Sequence, residues 1–271
     1  PEVVGDRKMI RFIRGHNHDL DKACEMVEKF LAWRIKEGVD EVRKDIVENK
    51  LDHPSKFPKG PEVLKVNPLM VLNATAIDNE DNFVSAEGTI PPAMWEDLTP
   101  EEYVRFRIYC LEYITLCLEK KGDEREAKAL EERMARKSDD ETVAEEEEPY
   151  GCLEKLTVIR NVAGLSMSDF AGKNRETAGT LMKIASDNYP ELLKKYYVVN
   201  APWVFTGIFT VLKVFLAQKT IDKIKVMGSG FMSTVNELVP ISAIPDFLGG
   251  QITVENLNTE GDFSGADERT G

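Results

Sequence analysis

The chain has 271 residues, 42% hydrophobic and 31% charged, with a formal net charge of −13 from 35 Lys+Arg and 48 Asp+Glu. That is length for one large domain or two small ones around a sizeable core, and the acidity argues against nucleic acid as a partner, because a phosphate-gripping domain is basic. No uncharged apolar run approaches the ~20 residues of a membrane-spanning helix; the longest candidate, Trp203 to Leu216, contains Lys213.

The charge is uneven: Gly122 to Glu148 holds 12 acidic and 5 basic residues. Cys24, Cys110, Cys117 and Cys152 form no C-x-x-C pair, which reads as reduced thiols in a cytosolic chain. No targeting signal is visible, and a start at Pro1-Glu2 rather than Met reads as a fragment of a longer chain.

Residues 1–53 are expected to be a small helical bundle. Met9, Ile10, Phe12 and Ile13 mark a first helix that breaks at Gly15-His16-Asn17-His18. Asp19 caps a second, whose Leu20, Ala23, Cys24, Val27, Phe30 and Leu31 follow one helix face up to Gly38. A third runs from about Asp40 to Glu48. Pro54 to Pro61 reads as a linker into a second unit, residues 54–255. Leu69–Leu72 and Phe83-Val84 look like short strands. Thr99-Pro100-Glu101-Glu102 opens a helix with a capping box and a first-turn proline, expected to run buried to about Lys120.

Residues 122–148 are expected to be an acidic surface insertion, helical in Glu124 to Lys137 and solvated at Glu145 to Glu148. A strand (Leu153 to Val162), a helix (Ser168 to Asn188), a strand (Lys195 to Asn200), a helix (Trp203 to Leu216), a short helix from Thr220 and a strand (Ile224 to Met227) follow. This alternation implies an α/β fold with parallel pairing through crossover connections. Residues 256–271 form a polar tail.

Enzyme motifs are missing. Gly228-Ser229-Gly230 starts like a dinucleotide fingerprint but lacks the third glycine, and there is neither a phosphate-cradling loop nor a nucleophile elbow. His16 and His18 lack metal-ligand spacing and read as turn residues, and His53 stands apart. No catalytic site, metal or cofactor is expected. The segment Trp203 to Leu216 is apolar nearly all round. It is either a core helix or one whose second face lines a cavity or meets a membrane.

Several stretches in order carry a family resemblance: Arg11-Phe12-Ile13-Arg14, Trp33-Arg34, Val162-Ala163-Gly164, Asp187-Asn188-Tyr189-Pro190-Glu191, Asn200-Ala201-Pro202, Phe215-Leu216 and Ile244-Pro245-Asp246. The chain resembles the CRAL-TRIO lipid-binding family, in its fungal and plant phosphatidylinositol-transfer branch, over about residues 9–121 and 151–251. The resemblance implies a small helical bundle followed by a mixed, mostly parallel sheet, flanked by helices and enclosing an apolar lipid cavity. It implies a non-enzymatic protein, cytoplasmic and peripheral at membranes. Such a protein exchanges phospholipid, phosphatidylinositol above all, between transiently contacted membrane surfaces in support of phosphoinositide signalling and trafficking.

The same resemblance assigns residues. Glu191, Thr220 and Lys223 would meet the inositol phosphate head group, and Pro68 matches a proline opening the first strand. Trp203, Phe205, Ile208, Phe209, Leu212 and Phe215 would form a movable gate helix. Leu156 and Val158 stand where the branch has small hydroxyl residues that read phosphatidylcholine, which points away from that second ligand. His16-Asn17 replaces an Arg-Lys pair, leaving His16 as a pH-sensitive phosphate contact. Arg160 compensates if it faces the cavity with Leu156 and Val158; the alternative is the outer face. Two other readings stay open: a different hydrophobe such as a sterol, retinoid or tocopherol, or an interaction module whose acidic insert recruits a protein partner.

Overall fold

The computed structural model describes residues 5–73, 75–137 and 153–253. The expected acidic run Glu145 to Glu148, Cys152 and the tail from 256 lie outside the described residues.

Three helices come first: α1 (Asp6–Gly15), α2 (Leu20–Glu37) and α3 (Val39–Glu48). The break between α1 and α2 is a turn in which Asn17 and His18 take positive φ (59° and 64°). Asp19 then accepts from the Lys22 N–H at 3.0 Å, the cap its position predicts. Phe12, Ala23 and Phe30 close the α1–α2 contact.

Pro54 to Pro61 is not a free linker. It folds into a 3-10 turn (Pro54–Lys56) and the start of α4 (Gly60–Val66). The reason is Phe57, which is buried against Phe106, Tyr109 and Tyr113. A proline-rich string reads as a connector until its single aromatic finds a pocket.

After β1 (Leu69–Met70), β2 (Phe83–Glu87) and the short α5 (Met94–Asp97) comes α6 (Pro100–Lys137). Its capping box forms: Thr99 N–H donates to Glu102 at 2.9 Å and Glu102 N–H to Thr99 at 3.2 Å. The helix does not stop near Lys120 but continues through Gly122 to Lys137, so the first half of the expected insertion extends the core helix. Arg7 of α1 explains this. It lies across Gly122, where a Cβ would come within 3.0 Å of its Cζ. It pairs with Asp123 and Glu126, each at 2.5 Å.

The rear half holds β3 (Leu156–Asn161), α7 (Gly172–Asn188), β4 (Leu193–Val199), α8 (Phe205–Leu212), α9 (Gln218–Ile221), β5 (Ile224–Val226) and α10 (Met232–Val235). The five strands lie in the order β1-β2-β3-β4-β5. β1 is antiparallel and the others are parallel, giving the mixed, mostly parallel sheet. Register puts Phe83, Ser85, Glu87, Leu156, Val158, Arg160, Tyr196, Val198 and Ile224 on one face. This inner face meets α6, α7 and α8. Met70, Val84, Ile159, Tyr197 and Val199 point to the other face, covered by the chain from Phe231 to Ile252.

Candidate functional site

The N-terminal ends of β3, β4 and β5 are neighbours in the sheet, so the residues just before each strand gather at one edge. These are Lys155, Glu191 and Lys223. Glu191 Oε2 lies 3.4 Å from Lys155 Nζ and 3.8 Å from Lys223 Nζ. Thr220 is one turn before Lys223, whose N–H donates to the Thr220 carbonyl at 3.1 Å. Lys219 reaches across to the C-terminal end of α1 and donates to the Arg14 carbonyl at 3.0 Å.

The turn bearing Glu191 is held from three sides. Tyr189 Oη donates to Glu112 of α6 at 2.6 Å, and Trp33 meets the Tyr189 ring edge-on at 6.0 Å. Pro190 abuts Gly15 so closely that a Cβ there would lie 2.9 Å from Pro190 Cβ. Arg11 donates to the Glu191 carbonyl and to the Glu154 carbonyl, both at 2.6 Å, and so ties the lead-ins of β3 and β4 together. Glu191 itself has φ 57°, a strained value for a residue with a Cβ, sustained by these anchors.

Charges tune each other here. Burial alone would raise the Glu191 carboxyl, but Lys223, Lys155 and Lys219 outweigh it and hold it below its ordinary value. Burial lowers Lys223, and Lys155 and Lys219 push the same way against Glu191. Three ammonium groups around one carboxylate leave a cationic edge suited to phosphate, with the carboxylate left to accept from hydroxyl groups. His16 sits at its margin. Burial first, then Lys22 and Lys219, push its imidazole below the ordinary value, against Asp19 and Asp187. Lys219 brings charge where the His16-Asn17 turn brings little.

Residues 65–250 match the CRAL/TRIO domain. The chain belongs to the CRAL/TRIO family. It is 27% identical over 255 residues to the Sec14 cytosolic factor of Schizosaccharomyces pombe, covering 92% of this chain and 76% of that protein. It is 27% identical over 246 residues to the phosphatidylinositol/phosphatidylcholine transfer protein SFH9 of Arabidopsis thaliana, covering 89% of this chain but 36% of that one. The crystal structure of Sfh5 shares the fold, with a TM-score of 0.56 at 17% identity over 86% of this chain and 67% of that chain.

Within this CRAL/TRIO fold, α8 is the helix expected as a gate. Phe205, Ile208 and Leu212 are buried against Val198, Tyr196 and α7, while Phe209 is half-buried under Lys213, whose Nζ stands 4.7 Å from its ring centre. Two assignments need correcting. Trp203 lines nothing: it stands in the turn before the helix and is 89% exposed. Phe215 lies not on a continuous helix but in the 3-10 turn Lys213–Phe215, exposed on one side and touching Gly179 on the other. Leu156 and Val158 are buried on the inner face, packed in the core with α6 and α7.

Pro68 and Arg160 do not join the Glu191 cluster. Pro68 is exposed at the far end of the sheet, its carbonyl accepting from Gly88 N–H at 3.1 Å. Arg160 does share the inner face with Leu156 and Val158, so the outer-face alternative fails. It stands five residues along β3 from Lys155, roughly 16 Å at strand rise. There it pairs with Glu87 and donates to Tyr196 Oη at 2.6 Å.

Sequence reasoning missed Lys155, Lys219, Arg11 and Glu112. The signal for the first was present: Lys155 precedes β3 as Lys223 precedes β5, and parallel strands align their starts. A cleft of about 440 Å³ opens elsewhere, between the end of α2, the first turn of α6 and α7, lined by Glu37, Glu101, Arg105 and Thr180 among others. Among the described residues no cluster of three or more His, Cys, Asp or Glu could hold a metal, and no helix is long and apolar enough to cross a membrane.

Proposed function

We propose that this protein binds one phospholipid and exchanges it between membranes, with phosphatidylinositol as the favoured cargo. The observation that carries the reading is the Glu191 carboxylate between Lys155 and Lys223, on an anchored turn beside the apolar inner face of the sheet. Lys223, Lys155 and Lys219 would neutralise the phosphate, and Glu191 and Thr220 would accept from and donate to the inositol hydroxyls. Acyl chains would lie along Leu156, Val158 and Val198 once α8 lifts. Burying them recovers ~25 cal/mol per Å² of apolar surface. The similarity to transfer proteins named for phosphatidylinositol and phosphatidylcholine supports this class of cargo.

Opening would happen at a membrane surface. Trp203, Val214 and Phe215 stand exposed on either side of α8, positioned to enter the lipid interface as the helix leaves the sheet. The test is native mass spectrometry of the protein and its Lys223→Ala variant after incubation with mixed liposomes. One bound phosphatidylinositol on the first and little on the second is the expected result. A bound sterol, or equal loading of both proteins, would overturn the assignment.

A further inference from the structure

The cleft of about 440 Å³ between α2, α6 and α7 lies apart from the sheet. On α6, Tyr103, Arg107, Cys110 and Ile114 form one stripe, and Arg107 carries it to Glu87 of the sheet. Glu101, Val104, Arg105 and Ile108 form another, spaced three and four residues apart, and this one lines the cleft. On α7, Glu176, Thr177 and Thr180 line the opposite wall, whereas Gly179 abuts Phe215, and Ala178 and Met182 pack towards α8. The cleft is therefore separate from the surface assigned to the acyl chains.

Its lining is part apolar and part acidic. Pro100, Val104 and Ile108 supply the apolar part. Glu37 of α2, Glu101 of α6 and Glu176 of α7 bring one carboxylate from each helix, against the single guanidinium of Arg105. Arg105 is committed to the end of α2: it donates to the Glu37 carbonyl at 2.5 Å and to the Gly38 carbonyl at 3.1 Å, and stands 5.7 Å from the Tyr109 ring centre. Glu37 has Lys36 at 3.0 Å, but among the described residues Glu101 and Glu176 have no ion-pair partner. Nor do the three carboxylates form a group that could hold a metal ion. They stand around the cleft instead of converging on a point.

An independent observation comes from Thr177. It is 2% exposed, and its Oγ1 has no hydrogen-bond partner. A helical threonine ordinarily bonds a carbonyl one turn back. This one does not, which leaves its hydroxyl oxygen to the cleft it lines. A buried hydroxyl with nothing to bond is costly, and an ammonium N–H supplies what it lacks, since a hydroxyl oxygen accepts.

We propose that this cleft is a binding site for a small aliphatic polyamine. Ammonium groups would meet Glu101 and Glu176 and donate to Thr177 Oγ1, and the methylene spans between them would cover Val104 and Ile108. Spread carboxylates with apolar surface between them suit a cation whose charges are separated by methylenes, not a metal ion or a neutral hydrophobe. The proposal does not depend on which lipid the protein carries.

The test uses the full chain in low-salt buffer with three probes: cadaverine, the diol of the same carbon chain as its uncharged match, and Mg²⁺ as a compact cation of the same charge. Isothermal titration calorimetry should show one cadaverine per chain, bound at least tenfold more tightly than the diol or Mg²⁺. Glu176→Gln alters an exposed side chain and Thr177→Val breaks no hydrogen bond of the fold, so both should fold, melt no lower than the unaltered chain and bind cadaverine at least fivefold more weakly. Protein loaded with phospholipid and separated from the vesicles should bind cadaverine as the lipid-free chain does. Equal binding of cadaverine and the diol, equal binding of cadaverine and Mg²⁺, cadaverine bound by either variant as by the unaltered chain, or its loss from the lipid-loaded protein would each overturn the proposal.

Discussion

Glu112→Gln tests whether the buried ionic centre of the helical layer holds the Glu191 turn. Glu112 and Arg34 are 1% and 2% exposed. Arg34 donates to Glu112 Oε1 at 2.9 Å, Tyr189 to the same oxygen at 2.6 Å, and Arg43 stands 3.6 Å from Oε2. Removing the charge leaves two buried cations short of a counter-ion. Breaking a buried pair on one side costs about 3–5 kcal/mol. Each arginine keeps a second carboxylate, Asp40 at 2.7 Å for Arg34 and Glu119 for Arg43, which places the cost near the low end, about 3 kcal/mol. At ~2–4 °C per kcal/mol for a chain of this size, the melting temperature should fall by about 6–12 °C. Urea unfolding with an unchanged slope would show that stability and not compactness has changed. Loading of lipid per folded molecule should fall as well, because Tyr189 exchanges a charged acceptor for a weaker amide oxygen that it shares with Arg34. A variant within about 1 kcal/mol of the unaltered protein, loading normally, would refute the idea that this centre positions Glu191.

Other outcomes follow from the same reasoning. Burial pushes the Lys8 ammonium down to about 8, despite Glu112 and Glu119, so between there and 10.5 the unfolded chain holds more protons and stability rises with pH. Lys8→Met should abolish that rise and stabilise the fold at neutral pH by up to about 3 kcal/mol, read by denaturant titrations at pH 7 and 10; no gain at pH 7 would count against it. Burial raises the Glu87 carboxyl but Arg107 and Arg160 overcome it and hold it at about 2. Its stabilisation is therefore complete above about 4.5 and lost as pH falls towards 2, and Glu87→Gln should flatten that part of an acid-unfolding curve. Ile208→Ala, at the buried face of α8, should cost about 2–5 kcal/mol. Trp203→Ala should cost under about 0.5 kcal/mol yet weaken vesicle sedimentation, and the reverse pattern would mean that α8 faces the other way.

Local signals carried the fold far. Asp19, Gly38 and the Thr99–Glu102 box each mark a helix end where one occurs, and the alternation after Leu153 is the parallel half of the sheet. What escaped depends on partners distant in sequence. Gly122 looks like a stop until Arg7, 115 positions earlier, lies over it. Phe57 looks like a loop residue until Phe106 and Tyr113 surround it. At the site, Glu191 and Lys223, both named through the resemblance, stand 3.8 Å apart. Arg160 had no legible partner because Glu87 is 73 residues away and only the register of β2 and β3 aligns them.

The overall charge of −13 misleads about the site in an instructive way. More than half of that excess falls in Gly122 to Glu148, while the sheet gathers its cations by geometry. Parallel strands place their starts side by side, so Lys155, Lys219 and Lys223 concentrate around Glu191 although they are scattered through 69 positions of an acidic chain. Beyond Val158, Arg160 of β3 and Arg107 of α6 flank Glu87 at the other end of the same face. Between the two lie Leu156, Val158 and Val198, with no charge among them. A face that is cationic at both edges and apolar between them matches the charge pattern of an amphiphile rather than of a soluble anion. A soluble anion would gain nothing from the apolar middle, and a neutral hydrophobe nothing from either edge.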